Sequence, residues 1–319
     1  MLSLLVVLLH QIAAPKAVTL SRVFTAREKM SYAVQSHITL ETRIHDVQTF
    51  LPQDFDMKYN FTAEVMEMKT DGIALIHYRR PTVTQIDGET YNSMPRTTNK
   101  KVNYDFVLTV SPINEILDKL DQTKTPVLLN TRAAQDQNNG LSDEVGQYIS
   151  ELYRLALFNG PVESSLDFAP KFPFSDVAPG DTWKRTAGYQ PQTLKGRKGK
   201  NPVVQRLDYT YTYRGPKVVN GKTYQRVTAD LNLNTDLATW ANQYQTQGND
   251  KNISKLAKMP MHLKATIEFD LDPKTFDTVA ARAYSQGGFE VYVSDAPNEL
   301  YFASRLKGST TLSLRSLTR

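Results

Sequence analysis

The chain has 319 residues, of which 40% are hydrophobic, and carries a formal charge of +5 at pH 7. That is enough apolar material for a core, which excludes a wholly disordered chain, and the mild positive balance suits anionic surfaces as well as ordinary solution. Cysteine is absent, which excludes disulfides, thiol nucleophiles, thiolate-bound zinc or iron–sulfur centres and a lipidated N-terminal cysteine.

The chain opens on an apolar run from Leu2 to Leu9, continued by Ile12, Ala13 and Ala14. It is too short for a membrane span, which needs about 20 apolar residues. A secretory leader over residues 1–14 is the expectation, followed by export to the periplasm, cell envelope or exterior. From Val23 onward the text reads as strands, as 16 Tyr and 13 Phe against two Trp also suggest. Tyr59, Phe61, Ala63 and Val65 alternate with Asn60, Thr62 and Glu64, the period of a sheet with one wet face. Asp71-Gly72 turns the chain, Ile73 to Tyr78 returns, and Asp87-Gly88 turns it again. Tyr104, Phe106, Leu108 and Val110 form the next strand, which Pro112 ends.

A helix is predicted over 142–159. Ser142 caps it, and Val145, Tyr148, Ile149, Leu152, Leu155 and Ala156 give it one apolar stripe before Asn159-Gly160-Pro161 stops it. Strands resume at Trp183. Leu207, Tyr209, Tyr211 and Tyr213 alternate with polar residues, Asn220-Gly221 makes a hairpin, and Ala265, Ile267, Phe269 and Leu271 form a strand closing at Pro273. Short strands are expected at 279–283, 289–293, 300–306 and 310–317. The segments 132–140, 190–202 and 243–258 read as polar loops.

The fold class is therefore mainly β, with two curved antiparallel sheets or half-barrels and one helix between them. The units are residues 22–130 and 171–319, joined by a linker at 131–170. Their landmarks recur in the same order at offsets of about 150 residues, which suggests a duplication or the chance likeness of two meanders.

The exported leader, the meander and the run Phe172-Pro173-x-x-x-Val177-x-Pro179-Gly180-Asp181-x-Trp183 resemble uncharacterised families of exported bacterial β-rich proteins. In layout the chain is similar to LolA-like periplasmic half-barrel lipid carriers. That resemblance implies a concave apolar sheet offered to an acyl chain, and it transfers no catalytic residue.

Reactive constellations are missing. Gly221-Lys222-Thr223 ends like a phosphate-binding loop, but Pro216 stands where the first glycine belongs and a strand follows, so it reads as a hairpin turn. His37, His45, His77 and His262 lack metal spacing; eight residues of strand separate the first two by about 26 Å. No Gly-x-Ser-x-Gly elbow is present, and Asp181 reads as a cap on the turn before Trp183. The basic run Lys195 to Lys200 lacks the interleaved aromatics that single-stranded nucleic acid requires, so no nucleic acid is expected.

No cofactor, metal or catalytic residue is assigned. The expected function is a non-catalytic binder of a lipid or other apolar ligand at the envelope. Its pocket would be drawn from Tyr59, Phe61, Tyr104, Phe106, Tyr209, Tyr211 and Phe269. The alternatives are a structural component docking an envelope protein and, behind it, an enzyme with an unrecognised site.

Overall fold

The computed structural model describes residues 17–44, 49–88, 94, 96–122, 169–189, 205–239, 242 and 255–319. Its strands are β1 (Lys29–Ile44), β2 (Leu51–Met68), β3 (Ala74–Asp87), β4 (Arg96–Val110), β5 (Ile116–Asp121), β6 (Thr182–Tyr189), β7 (Gln205–Val219), β8 (Lys222–Asp236), β9 (Leu256–Lys258), β10 (Pro260–Leu271), β11 (Thr278–Val293) and β12 (Phe302–Thr318). The mainly-β expectation holds. The two expected sheets are one: the order is β5-β4-β3-β2-β1-β12-β11-β10-β8-β7-β6, with β9 paired beside β11. All 16 residues of β1 find antiparallel partners on β12, from Lys29–Thr318 to Ile44–Phe302. That ladder welds the early strands to the late ones.

Turn chemistry sets the hairpins. Asp71 and Gly72 take φ of 61° and 74° between β2 and β3, and Asn220 and Gly221 take 51° and 76° between β7 and β8. Two successive positive φ values match the right-handed twist of the strands they join, which is why Asp, Asn and Gly stand there. The pairs expected at 279–283 with 289–293, and at 300–306 with 310–317, are instead the long strands β11 and β12. The glycines between them do not break the ladder. Gly287 pairs with Leu263 on one side and Leu306 on the other, and a Cβ there would lie 2.6 Å from the His262 carbonyl oxygen. Only a residue without a side chain admits so close an approach. The polar segment 243–258 ends in β9, where Leu256 and Lys258 pair with Val293 and Tyr292; Leu256 is buried, so an apolar anchor makes a strand where polarity predicted a loop.

The sheet order is that of an up-and-down barrel cut open between β5 and β6. The cut edges meet at one end. The Phe172 amide donates to the Ile113 carbonyl (3.0 Å), Asn114 Nδ2 donates to the Pro170 carbonyl (2.9 Å), and Lys171 Nζ donates to the Asn114 carbonyl. The sheet must therefore curl so that the β4–β5 turn reaches the segment leading into β6. Trp183 of β6 reinforces the contact by donating Nε1 to the Lys171 carbonyl at 2.6 Å.

A strap formed by residues 17–28 crosses that same end. Val18 bridges to Val177, the Arg22 amide donates to the Pro112 carbonyl, the Val23 amide to Thr275 and the Arg27 amide to Val65. Leu20 and Phe24 turn into the core with Phe172, each buried apolar side chain contributing about 1.5–3 kcal/mol. Arg22 comes with them and is 7% exposed; its Nε donates to Asp277 Oδ1 at 2.6 Å, and its guanidinium stands 4.6 Å from the Phe24 ring. Glu28, 0% exposed, accepts from Arg319 Nε at 2.9 Å. The strap is thus pinned to the β10–β11 turn and to the end of β12. The helix expected at 142–159, the leader at 1–14 and the basic loop at 190–202 lie outside the described residues.

Two outcomes follow for stability. Asp277→Ala should cost about 3–5 kcal/mol in urea unfolding, since it strands the Arg22 charge, whereas Arg22→Met with Asp277→Leu should lose distinctly less. Gly287→Ala should lower the urea midpoint by about 1–3 kcal/mol of stability, because the added methyl meets backbone rather than a side chain that can rotate away.

Candidate functional site

Strand alternation divides the molecule into an apolar inner face and a charged outer one. Met30, Tyr32, Val34, Ile38 and Leu40 of β1 point inward, as do Met261, Leu263, Ala265, Ile267, Phe269 and Leu271 of β10. Each set belongs to one continuous cluster reaching from β4 to β8. The outward positions of β10 are His262, Lys264, Thr266, Glu268 and Asp270, those of β1 Gln35, His37, Thr39, Glu41 and Arg43. A membrane-spanning barrel has the reverse distribution, with an apolar band outside and a polar lumen. Among the described residues no helix is long and apolar enough to cross a membrane.

The inner face is most aromatic over β1 to β4. Tyr32 stacks on Phe61 (4.8 Å between centroids), Phe61 lies 4.9 Å from Tyr78, and Tyr59, Tyr104 and Phe106 continue the array at 6–6.5 Å. In the middle of it sits Arg80, 0% exposed. Its guanidinium carbon is 4.0 Å from the Tyr59 ring centroid, 5.6 Å from that of Tyr104 and 5.8 Å from that of Tyr78. Nε and Nη2 both donate to Tyr78 Oη, at 3.1 and 2.9 Å. A guanidinium keeps its charge under all ordinary conditions. Tyrosine is the side chain that suits it here, offering both a π face and a hydroxyl acceptor without a formal charge of its own.

Arg80 faces inward in the same alternation as Ile76 and Tyr78, and Pro81 directly after it marks where that phase changes. Proline has no N–H for the ladder, and both neighbouring registers slip beside it: β2–β3 between Tyr59–Val83 and Thr62–Arg79, and β3–β4 between Arg80–Tyr104 and Thr82–Lys101. Asn103 completes the bulge with φ of 46°. Across it the inward phase of β3 changes from Tyr78 and Arg80 to Val83 and Gln85. Bulges often re-aim side chains at functional positions. On its outer side the bulge leaves a groove of about 350 Å³ lined by Asn60, Arg79, Pro81 and Asp105.

Of the residues chosen from sequence, Tyr59, Phe61, Tyr104 and Phe106 belong to this array, all 5% exposed or less. Tyr209 and Tyr211 are gathered elsewhere: they stack at 5.9 Å, and Trp183 stacks on Tyr211 at 5.6 Å, across β6 and β7. Phe269 lies on β10 at 3% exposure. Among the described residues the seven form two aromatic groups, with Phe269 in the core cluster but in no ring pair with either. Arg80 was missed. Its only signal is Arg79-Arg80-Pro81 within an otherwise strand-like run. Buried hydroxyls lie on the strands between the two groups: Ser36 and Thr310 are 2.9 Å apart across β1 and β12, and Ser285 is buried on β11.

The reactive candidates resolve into structural partners. Asp181 Oδ2 accepts the Ala178 amide at 2.8 Å, capping the turn before β6. Gly221-Lys222-Thr223 lies at the β7–β8 hairpin, with Val219 paired to Lys222. His37 meets Asp56 at 3.0 Å and His77 meets Asp105 at 2.6 Å. Among the described residues no group of three or more His, Asp or Glu side chains is placed to hold a metal ion.

No protein-family model matches the chain, and no curated protein matches it. Solved structures similar to it include lipovitellin, from a study of lipid–protein interactions in that protein: 10% identity, TM-score 0.39, covering 92% of this chain and 26% of lipovitellin. The chain therefore spans about a quarter of that neighbour's length. A DUF1329 family protein from Desulfovibrio piger is 9% identical, with a TM-score of 0.15 over 89% of this chain and 84% of its own. A Vibrio parahaemolyticus domain named for outer membrane lipoprotein sorting is 10% identical, with a TM-score of 0.14 and the same coverages.

The tyrosines carry a measurable signature. Burial pushes the Tyr59 phenol far above its ordinary range, outweighing the pull of Arg80 in the other direction; burial does the same for Tyr32 against the pull of Arg22. In the unfolded chain these phenols release their protons near pH 10, while the folded chain retains them. Their contribution is thus complete below about pH 10 and is lost as pH rises beyond it. Urea midpoints should fall steeply above that pH in the native protein, and less steeply in Tyr59→Phe with Tyr32→Phe.

Proposed function

We propose that the protein is an exported, non-catalytic carrier whose inner sheet face holds an amphipathic ligand, an apolar chain ending in an anionic group. The observation that carries this reading is the place of Arg80. A permanent cation stands among tyrosines on the inner face, on β3, the third strand in from the cut edge at β5. Desolvating a charge is costly, and an anionic group beside it recovers part of that cost while the aromatic array accepts the chain. Buried methionines at Met30, Met57, Met259 and Met261 add surfaces that adjust to chains of different shape.

The open order of the sheet supports the same reading. In a sheet whose first and last strands are β5 and β6, a ligand enters by parting an edge and no complete ladder has to break. The apolar run over residues 1–14 supports export.

Protein purified from its own host should release a bound amphiphile on organic extraction and show the matching mass increment in native mass spectrometry. After delipidation it should bind cis-parinaric acid. Arg80→Met keeps the length and apolar stem of the side chain, and should weaken that fatty acid by about tenfold while leaving its methyl ester within about twofold, as expected for loss of one charge-assisted contact of about 1.4 kcal/mol. Empty protein in repeated preparations, or equal loss for acid and ester, removes the proposal.

A further inference from the structure

The outer face holds a second feature that the carrier reading does not use. Most of its charges are matched across strands: Arg226 grips Asp270 with two hydrogen bonds of 2.8 and 2.9 Å, Lys29 faces Glu64 at 3.7 Å, and Asp54 and Asp230 accept from Thr39 and Thr266. Towards the other end of β10, and across onto β11 and β12, a groove is lined mainly by basic side chains. Lys264, Gln286 and Lys307 lie in one cross-strand row, and His262, Gly288 and Arg305 lie in the next. Lys264 and Lys307 form no ion pair among the described residues. They enclose this groove of about 660 Å³, to which β1 contributes Thr39 and the single carboxylate of Glu41, opposite Arg305 in register.

The geometry makes this a clasp. Gly288 has no side chain, so the His262 ring lies close over it, and Gly287 adds backbone to the groove wall. Arg305 is held from its far side by the Phe50 ring, 3.9 Å from its guanidinium carbon, which limits its rotamers. On one strand Arg305 and Lys307 are about 7 Å apart, and Lys264 stands two strands, or about 10 Å, from Lys307. Both spans are within reach of long side chains closing on one small anion. Two lysines supply compact charges and the arginine a planar fork, a combination that suits a dianion with three accepting oxygens. Placing like charges together on a sheet costs stability. Here that cost is kept without a matching acidic set.

We propose that this groove binds a phosphate group, either free or as the headgroup of a lipid. The site is independent of the inner face, so each reading stands or falls alone. Isothermal titration of the full chain with inorganic phosphate at low salt tests the free form. Co-sedimentation with phosphatidylcholine vesicles, with and without phosphatidic acid, tests the lipid form. Lys264→Ala with Lys307→Ala should weaken phosphate in whichever arm binds by about tenfold or more, and rising salt should weaken the wild type. Lys222→Ala, on the distant β7–β8 hairpin, controls for general attraction to a basic protein and should change nothing. The altered lysines are exposed, so thermal unfolding should be unmoved. Absence of binding in both arms overturns the site, as does equal affinity in wild type and double variant or an equal loss in the Lys222 variant.

Discussion

Everything in this molecule depends on the ladder between β1 and β12. Without it the chain would offer two meanders, each with an apolar face and two long exposed edges, and edges of that length invite pairing with other chains. With it, one edge of each meander is consumed along its whole length. Strands from both halves then share a single inner face, and the aromatic array over β1–β4 lies on the same surface as the stacked rings of β6 and β7. The buried hydroxyl pair Ser36 and Thr310 sits on this junction. It satisfies the two polar groups on each other, where either alone would be a liability.

Much of this was legible in the residues. Period-two runs such as Tyr59 to Val65 and Ala265 to Leu271 gave both strands and facing, because the two sides of a pleated strand meet different solvents. Asp71-Gly72 and Asn220-Gly221 gave the hairpins, because few residues tolerate positive φ. What stayed hidden was non-local. Nothing near Ser36 announces a partner 274 residues away, so two sheets were expected where one exists. Arg80 was hidden for the opposite reason: a charged residue in a strand is read as solvent-facing, yet Arg80 keeps the inward phase of Ile76 and Tyr78 up to the register slip at Pro81. Composition likewise misplaced β9, since one buried leucine outweighed its polar surroundings.

The two faces divide the chemistry as they divide the solvent. Inside, a charge survives because tyrosine rings and hydroxyls surround it; outside, charges are mostly neutralised by neighbours one strand away. The strap at residues 17–28 belongs to both regimes. It carries Leu20 and Phe24 into the apolar interior, yet is fixed by ionic contacts to Asp277 and by the Glu28–Arg319 pair. Loss of those contacts would free an end of the molecule and remove the Arg22 charge from beside Tyr32, at the margin of the aromatic array.

Joining the first long strand to the last has a consequence for biogenesis. As the polypeptide is made, β1 and β2 emerge early, but the partner that covers the free side of β1 is synthesised only after all the others. Contacts of such sequence separation form slowly, and through that interval a 16-residue template for intermolecular pairing stays available. A chain built this way depends on being kept apart from its own copies until its final segment arrives.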